Sequence, residues 1–481
     1  MNKIHPSFIV LFFAISILGS SILINIIRIS FFSSFLWILL AMTLLIIALV
    51  TSRKISIILA VLAGILLILF RSAPAFISQD FINQLAGKTV TISGTVSKDP
   101  DESNSKYNLK LTDLKLYLNE ESEIIIEGTL FTQVNNKSLQ RSDRITISGE
   151  LSSGFGSYVA TIYRPDILTI SRPEPGDVFL KIRNFFANKI KQYIPNPENG
   201  LALGYLLGQK SGVDKTISET LQLIGLTHII VASGAHLSTL TSFARKIFGK
   251  ISRFASFLFA GLATLFFIGI TGLSASMLRA GLVTGLSLLL WYFGRTIHPL
   301  RLIILTIAIT LIYNPFYVTD LAWLLSFLSF SAILVIAPAI TNFLYGKDKK
   351  PNFISSTLIS SFAAAVLTAP VQLFYFGQIS LISIFANLLI LPTISIAMGL
   401  TFITGLLALL FPPVANLLGQ VTTIILDYQI NVANFFADQK SFIFSMEVNN
   451  PFVFLLYIPV IFAAITVIII KKKREKQAKH K

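Results

Sequence analysis

The hydrophobic positions along the chain fall into long and nearly uninterrupted runs. Residues 7–27, 31–51 and 54–71 form three such runs, each about 20 residues long. At a rise of about 1.5 Å per residue, each run can cross a hydrocarbon layer of about 30 Å. The first run is too long for a signal peptide, lacks an Ala-x-Ala end and is followed at once by a second run. The pattern predicts a three-helix membrane block over residues 1–72.

A period-two pattern replaces these runs between residues 88 and 172. Polar and apolar residues alternate at 88–96, as in a half-buried strand. Similar stretches, separated by turn residues, recur at 105–116, 123–133, 143–151 and 157–170. Five short strands predict a small all-β, OB-like domain inserted at residues 73–172. Its 13 acidic and 10 basic residues over 80–174 and its few aromatic residues favour a structural or docking role over binding of single-stranded DNA.

Membrane character returns after a linker. Residues 173–199 predict an amphipathic interfacial helix, with Phe179, Ile182 and Phe185 on one face and basic residues beside them. Over residues 200–470, spanning helices are predicted near 220–243, 254–272, 276–293, 299–314, 321–343, 353–371, 381–411 and 451–470.

Two segments of this region are ambiguous. The run 381–411 is too long for one straight crossing and contains Pro392, so it is either a long kinked helix or two shorter pieces. The stretch 412–440 is predicted to be amphipathic rather than spanning. The fold class is therefore a polytopic α-helical membrane protein with about ten transmembrane helices and an inserted β domain.

The distribution of basic residues predicts how the chain is oriented in the membrane. Only 13% of the residues are charged, and basic clusters lie between the predicted spans, at Arg245/Lys246/Lys250/Arg253, Arg295/Arg301 and Lys347/Lys349/Lys350. With the basic tail at 471–481, they predict cytoplasmic termini in the plasma membrane and a β domain on the outer side. Residues 221–470 hold 11 Lys/Arg and 5 Asp/Glu, so a polyanion would meet few carboxylates there.

The densest polar group within a predicted span lies at residues 225–238. Two of the five histidines, His228 and His236, fall within nine residues of an apolar run, together with Ser233 and Gly234. Three interpretations stay open: packing between helices, the polar lining of a conduit, and a Ser–His nucleophile pair. No nearby carboxylate supports the third, and two histidines are too few for a metal site.

Four further residues are candidates for the path of a ligand. Arg279 either snorkels or contacts phosphate, and Asp320 is either a buried partner for a cation or an interfacial helix cap. Gln372 and Asn387 are weaker candidates of the same kind. The chain has no cysteine, no P-loop motif and no hydrolytic metal motif. The sequence therefore predicts no cofactor, no metal and no enzymatic activity.

These motifs together resemble the ComEC competence family. The resemblance rests on five blocks in the same order: 200–208 with the Gly-Leu-x-His…Ser-Gly-x-His run at 225–236, then 271–280, 314–332, 368–377 and 386–392. Ala235 replaces a larger apolar residue of the family, Asn314 replaces an aspartate and Leu325 replaces a glutamine. The blocks extend over about 200 residues, and the β insert resembles the external domain of the family.

The resemblance implies a channel through which one DNA strand enters during natural transformation. It also implies membrane lipid, an external DNA receptor, pilus machinery and a cytoplasmic DNA-binding or ATP-driven protein as partners; a homo-oligomer is open. Many relatives continue into a metallo-β-lactamase-like domain, whereas a basic tail is found here, so a separate nuclease is expected. Alternatives are a transporter of a smaller anionic solute or lipid, and an intramembrane hydrolase using Ser233 and His236.

Overall fold

The computed structural model describes most of the chain. The described residues are 5–27, 31–51, 53–103, 106–119, 122–135, 138–172, 176–210, 212–230, 232–346, 349, 351–439, 443–445, 454 and 457. The predicted basic tail 471–481 and, apart from Phe454 and Tyr457, the predicted span 451–470 lie outside them.

Two compact units share the chain. The first, called the barrel unit, comprises Met1–Arg183, Phe257–Ile297 and Arg301–Leu324. The second, called the helical unit, comprises Asn184–Ser256, His298–Leu300 and Leu325–Lys481.

Helices account for most of the described residues. They are α1 (Pro6–Ile24), α2 (Leu36–Thr51), α3 (Ile55–Leu85), α4 (Val178–Ile190), α5 (Glu198–Leu207), α6 (Lys215–Leu223), α7 (Thr227–Ile230), α8 (Gly234–Phe248), α9 (Arg253–Thr271), α10 (Ala275–Tyr292), α11 (Pro299–Tyr313), α12 (Leu321–Ser331), α13 (Ala337–Tyr345), α14 (Phe353–Phe376), α15 (Ser383–Leu410) and α16 (Pro412–Ala437). A π-helical turn joins α12 to α13.

Seven helices within the described ranges are long and apolar enough to cross a membrane: α1, α3, α9, α10, the continuous α12–α13, α14 and α15. The apolar helices α2 and α11 are shorter. The protein is therefore a polytopic helical membrane protein, and the count of about ten spans stays a prediction.

The β strands form a small barrel, as predicted. They are β1 (Thr89–Val96), β2 (Asp101–Ser103), β3 (Lys106–Asn119), β4 (Ser122–Ile126), β5 (Leu130–Val134), β6 (Arg144–Ser153), β7 (Ala160–Tyr163) and β8 (Asp166–Ser171). The pairing order β1–β3–β5–β7–β6 closes through β1–β6, and only β5 and β7 are parallel within this ring. This is the arrangement of an OB-like Greek-key barrel.

Two predicted strands are each divided in two. Residues 123–133 become β4 and β5, because Gly128, with a φ of 129°, allows a turn that other residues rarely adopt. Residues 157–170 become β7 and β8, separated by Arg164, with a φ of 54°, and Pro165. Proline ends a strand because it lacks the backbone N–H that a sheet ladder requires.

The barrel is continuous with a spanning helix. Helix α3 does not end at residue 71, as the hydrophobic run predicted, but continues through Pro74 to Leu85. Its last turns bring Ile82 into the hydrophobic core of the barrel. The Glu127 N–H donates to Ser78 Oγ at 2.9 Å. The barrel therefore lies directly at the end of α3.

A buried arginine joins the barrel to a second spanning helix. Arg141, 7% exposed, donates through Nη1 to the Ile270 carbonyl at 3.2 Å and through Nη2 to the Gly269 carbonyl at 3.0 Å. These carbonyls end α9 and have no partner within the helix. Gly272 is required beside them, since it has a φ of 85° and a Cβ there would lie 2.9 Å from Nη1. Arg141 thus caps α9, and its Nε also donates to Asp177 at 2.8 Å.

Arg71 makes the equivalent connection to α11. Its Nε donates to the Ile312 carbonyl at 3.1 Å and its Nη2 to the Tyr313 carbonyl at 3.0 Å. An arginine within a hydrophobic helix needs such acceptors. Helices α9 and α11 therefore both end beside arginines that belong to the barrel or to the helix that carries it.

The linker helix α4 combines exposed apolar side chains with a buried cation. Phe179, Ile182 and Phe185 are exposed. Arg183 is instead buried, and its guanidinium binds both carboxylate oxygens of Asp99 at 2.5 and 2.9 Å. The amphipathic pattern is present, and the membrane-surface position of α4 stays a prediction.

Helix α15 settles the ambiguity at 381–411. It is one continuous helix of 28 residues with Pro392 inside it. Helix α16 runs antiparallel to it: Gln429 Nε2 donates to Thr393 Oγ1 at 2.8 Å, and the Thr404 and Thr422 hydroxyls lie 3.3 Å apart. Residues 412–437 thus form a long helix alongside a spanning one. Short strands β9 (Gln378–Ser380) and β10 (Ile443–Ser445) also pair in this unit.

The prediction of a continuous span at 220–243 is wrong. Helices α6, α7 and α8 are separate, and α8 begins at Gly234. Gly225, with a φ of 76°, follows α6, and Ser233 is extended before α8. The hydrophobic run concealed these breaks because its average composition is that of a single span.

We expect Arg141→Ala to destabilise the protein strongly, because Asp177 and two helix-end carbonyls would lose a buried partner. Breaking such a pair costs about 3–5 kcal/mol. The control is Lys115→Ala, because the Lys115 and Glu123 side chains of that ion pair are 32% and 47% exposed and the pair is expected to contribute about 1 kcal/mol or less. The thermal unfolding midpoint of the purified protein in detergent measures both.

The pH dependence of this effect follows from Asp177. Burial alone raises the pKa of its carboxyl, but hydrogen bonds from Arg141, the Leu180 N–H and Ser142 bring the pKa below its ordinary value. Such a carboxylate stabilises the fold above its unfolded pKa of about 4 and loses this effect as the pH falls through its folded pKa. The difference in thermal unfolding midpoint between Arg141→Ala and the parent should be largest near pH 7 and shrink below about pH 4. A constant difference would contradict the assignment.

Candidate functional site

The break before α8 is built around His236. Ser233 is the N-cap residue of α8, and its backbone N–H donates to His236 Nδ1 at 3.0 Å. Ser233 Oγ also lies 2.9 Å from Nδ1. This is a capping box in which histidine takes the place usually held by glutamate or glutamine. Ser233 and His236 therefore satisfy the polar groups that the helix break exposes.

The cap determines the protonation of the His236 ring. Because Nδ1 accepts a backbone N–H, a neutral imidazole carries its proton on Nε2. His236 is 3% exposed, and Nε2 is buried without a hydrogen-bond partner among the described residues. A buried donor of this kind costs about 1–3 kcal/mol unless an acceptor reaches it. The ring therefore presents an N–H group suited to an oxygen acceptor.

Two residues that the sequence did not single out hold this ring in place. The Tyr205 ring stacks on His236, with centroids 5.7 Å apart and planes inclined at 25°. Its hydroxyl donates to Gln429 Oε1 at 2.9 Å, and Gln429 in turn reaches Thr393. A small cavity beside these groups is lined by residues that include Tyr205, Ile390, Gln429 and Asn434. The site thus draws on α5, α8, α15 and α16.

His228 lies in the same broken segment. It is on α7, where its side chain is exposed, and its ring interacts with the backbone of Gly225. A Cβ on Gly225 would lie 3.5 Å from the side chains of Ser380 and Ser383, so the start of α15 is close by.

Asn387 follows Ser383 by one turn of α15. Its Oδ1 and the Ser380 Oγ are buried without hydrogen-bond partners in the described part of the chain. Polar atoms therefore accumulate in this region of the helical unit.

The other candidates are distributed differently. Arg279, 8% exposed, lies in α10, and Asp320 lies at the start of α12; both belong to the barrel unit. Asp320 Oδ1 accepts the Trp323 N–H at 2.9 Å, which is the arrangement of a helix cap. Gln372 is half-buried in α14. The structure brings together His228, Ser233, Gly234 and His236, while Arg279 and Asp320 are in the other unit.

The geometry does not favour a Ser–His nucleophile. The ring nitrogen that would take the Ser233 proton already accepts the backbone N–H, and no described carboxylate is hydrogen-bonded to the other nitrogen. Among the described residues, no group of three His, Cys, Asp or Glu side chains is placed to hold a metal ion. The described contacts of Ser233 are those of a helix cap.

Four aromatic side chains form a patch on the barrel, and the sequence did not predict that they lie together. Phe131 lies 5.6 Å from Phe155, 5.6 Å from Tyr158 and 6.1 Å from Tyr163, between ring centroids. Lys110 Nζ lies 5.4 Å from the Tyr158 ring centre. Burial and the charge of Lys98 lower the pKa of Lys110, although Asp320 opposes this shift. Strand pairing assembles this aromatic patch from residues that are far apart in sequence.

Comparison with known proteins identifies the family. A family described as "Competence protein" matches residues 205–472, more than half of the chain. The chain belongs to the competence protein family. The matched region contains the whole broken segment with His228 and His236, as the resemblance to ComEC proteins predicted. The family match and the apolar helices together support membrane embedding.

One curated relative agrees with this assignment. ComE operon protein 3 of Bacillus subtilis (strain 168) is 26% identical over 220 residues, which cover 44% of this chain and 27% of the relative. The matched part thus spans about a quarter of the length of that relative. No solved structure matches the chain.

We expect Tyr205→Phe to destabilise the protein by about 1–3 kcal/mol, because the buried Gln429 Oε1 would lose its donor while the ring stack stays. Tyr428→Phe is the control, since Tyr428 lies beside Gln429 on α16 but is exposed. Thermal unfolding in detergent compares the two variants. Equal midpoints would show that the Tyr205–Gln429 hydrogen bond does not hold the site.

Proposed function

We propose that this protein is a plasma-membrane channel that imports single-stranded DNA during natural transformation. The competence-family match over residues 205–472 carries the proposal. The site adds a physical reason: Nε2–H of His236 is a buried donor in a membrane domain, and phosphate oxygens are strong acceptors. The excess of basic over acidic residues in 221–470 is compatible with a polyanion.

The barrel is proposed to lie on the outer side. Arg141 of the barrel contacts the end of α9, and Arg71 of α3, the helix that carries the barrel, contacts the end of α11. The opposite ends of these helices carry Arg253, Arg295 and Arg301 with neighbouring basic residues, which favours the cytoplasm. The ends capped by Arg71 and Arg141 would then face outward together with the barrel. A cytoplasmic N-terminus follows if α1, α2 and α3 each cross once.

The aromatic patch suits a first contact with the strand. Phe155 and Tyr163 are 51% and 55% exposed, and exposed rings beside a lysine are the groups on which unpaired bases stack. An external receptor and a pilus would deliver DNA to this side. A cytoplasmic DNA-binding or ATP-driven protein would draw the strand inward, and a separate nuclease would remove its complement.

Uptake of labelled DNA into the cytoplasm tests the function. A deletion strain should lose uptake, and a copy of the wild-type gene should restore it. A His236→Ala copy should restore uptake at least about fivefold less than the wild-type copy, because a contact worth about 1–3 kcal/mol is lost. His298→Ala, which changes an exposed histidine, is the control and should restore uptake fully. Unchanged uptake in the deletion strain would refute the proposal and favour a smaller solute.

Substitution of the patch tests the proposed role of the barrel. Phe155→Ala with Tyr163→Ala should weaken binding of a single-stranded oligonucleotide to the purified full-length protein. Each stacked base contributes about 1–3 kcal/mol. Ile125→Ala removes an apolar side chain that is 69% exposed elsewhere on the barrel and should leave the Kd unchanged. Equal affinities for both variants would leave the barrel with a docking role.

A further inference from the structure

Helix α16 has three distinct faces. One face is buried against the helical unit at positions spaced by three or four residues: Ala415, Gly419, Thr422, Leu426, Gln429, Ile430 and Ala433. A second face is apolar and exposed: Val414, Leu417, Val421, Ile424, Tyr428 and Phe435. Between them lies a third set, called the polar stripe: Asn416, Gln420, Thr423, Asp427, Asn431, Asn434 and Asp438.

The polar stripe is narrow and continuous. Its residues follow one another at intervals of three or four and fall within an arc of about 80° on the helix surface. All of them are exposed except Thr423, which is half-buried. From Asn416 to Asp438 the stripe is about 33 Å long, close to the thickness of a hydrocarbon layer of about 30 Å.

The position of α16 places the stripe at membrane depth. The helix is antiparallel to α15, one of the candidate spans, and contacts it along the middle of both helices, at Thr393–Gln429 and Thr404–Thr422. If α15 crosses the membrane, the middle of α16 lies at the depth of the middle of α15. Exposed amides and carboxylates along such a helix would be very costly against lipid. They are stable only beside water or a polar partner.

We propose that the polar stripe of α16 forms one wall of the hydrated passage and faces the bases of the single strand. This inference rests on the proposed function and adds the lining helix and the orientation of the strand. The second face of α16, with its exposed apolar side chains, faces lipid. The small cavity beside Tyr205 and Gln429 is also lined by Asn434, so the stripe adjoins the His236 site.

The chemistry of the stripe determines which side of the strand it faces. The stripe contains five amide or hydroxyl side chains and two carboxylates, Asp427 and Asp438, but no cation. Carboxylates repel phosphates, so the sugar–phosphate backbone should turn away from α16. Asparagine and glutamine both donate to and accept from base edges and, without a fixed register, contact any sequence. The stripe therefore suits bases of any sequence.

The absence of cysteine from the chain allows a direct test. Single cysteines are placed at neighbouring positions of the two exposed faces: Gln420→Cys and Val421→Cys, Asp427→Cys and Tyr428→Cys, Asn434→Cys and Phe435→Cys. Each pair shares one depth and differs only in face. Reconstituted protein is treated with a charged methanethiosulfonate, with and without a single-stranded oligonucleotide that a bulky end group stalls during entry.

Stripe cysteines should react at least about tenfold faster than their apolar neighbours, because a thiolate forms in water and not in hydrocarbon. The stalled oligonucleotide should slow the stripe reactions and leave the others unchanged. Equal rates at both faces would overturn the inference. So would stripe reactions that the oligonucleotide does not affect, or oxidative cross-links that join two copies through the stripe.

DNA uptake by the same variants separates the two proposals. If cells carrying them import labelled DNA while the stripe is unreactive, α16 does not line the passage and the channel function stands. If deletion of the gene leaves uptake unchanged, the proposed function itself is wrong.

Discussion

The structure depends on one constraint: polar groups at membrane depth must be satisfied by protein or by water. Arg71 and Arg141 meet it at the ends of α11 and α9, where backbone carbonyls have no helical partner. Ser233 and His236 meet it at the break before α8. Where the described protein supplies no partner, as at His236 Nε2, the acceptor must come from water or a ligand. In a competence-family protein, the phosphate oxygens of DNA are the acceptors that we propose.

The same constraint explains how the barrel is held. Helix α3 enters the barrel core through Ile82, and Arg141 binds the barrel to α9 through two backbone carbonyls and is also hydrogen-bonded to Asp177. A barrel fixed at two spanning helices presents its aromatic patch in a defined position relative to them. A strand that stacks there would be held at a constant place beside the membrane helices. A flexibly attached domain would not provide this.

The sequence predicted what depends on local pattern and missed what depends on distant contacts. Hydrophobic runs located most spans, and alternation located the barrel. The breaks around α7 lie within a run of uniform hydrophobicity, so only Gly225 and Ser233 marked them. Tyr205, Gln429 and the four patch aromatics are brought together by packing between elements far apart in sequence. The spacing of polar residues by three and four positions on α16 is visible in the sequence. That these residues lie at membrane depth follows only from the antiparallel contact of α16 with α15.

We propose that this protein provides the passage for a single strand, while other proteins deliver the strand and supply the driving force. Purified protein in liposomes, with an inside-positive membrane potential imposed, tests it most directly, because the potential drives a polyanion inward. Labelled single-stranded DNA outside the liposomes should become protected from added nuclease, in proportion to the potential, while duplex DNA stays exposed. Protection no greater than in protein-free liposomes, or equal for duplex DNA, would contradict the account.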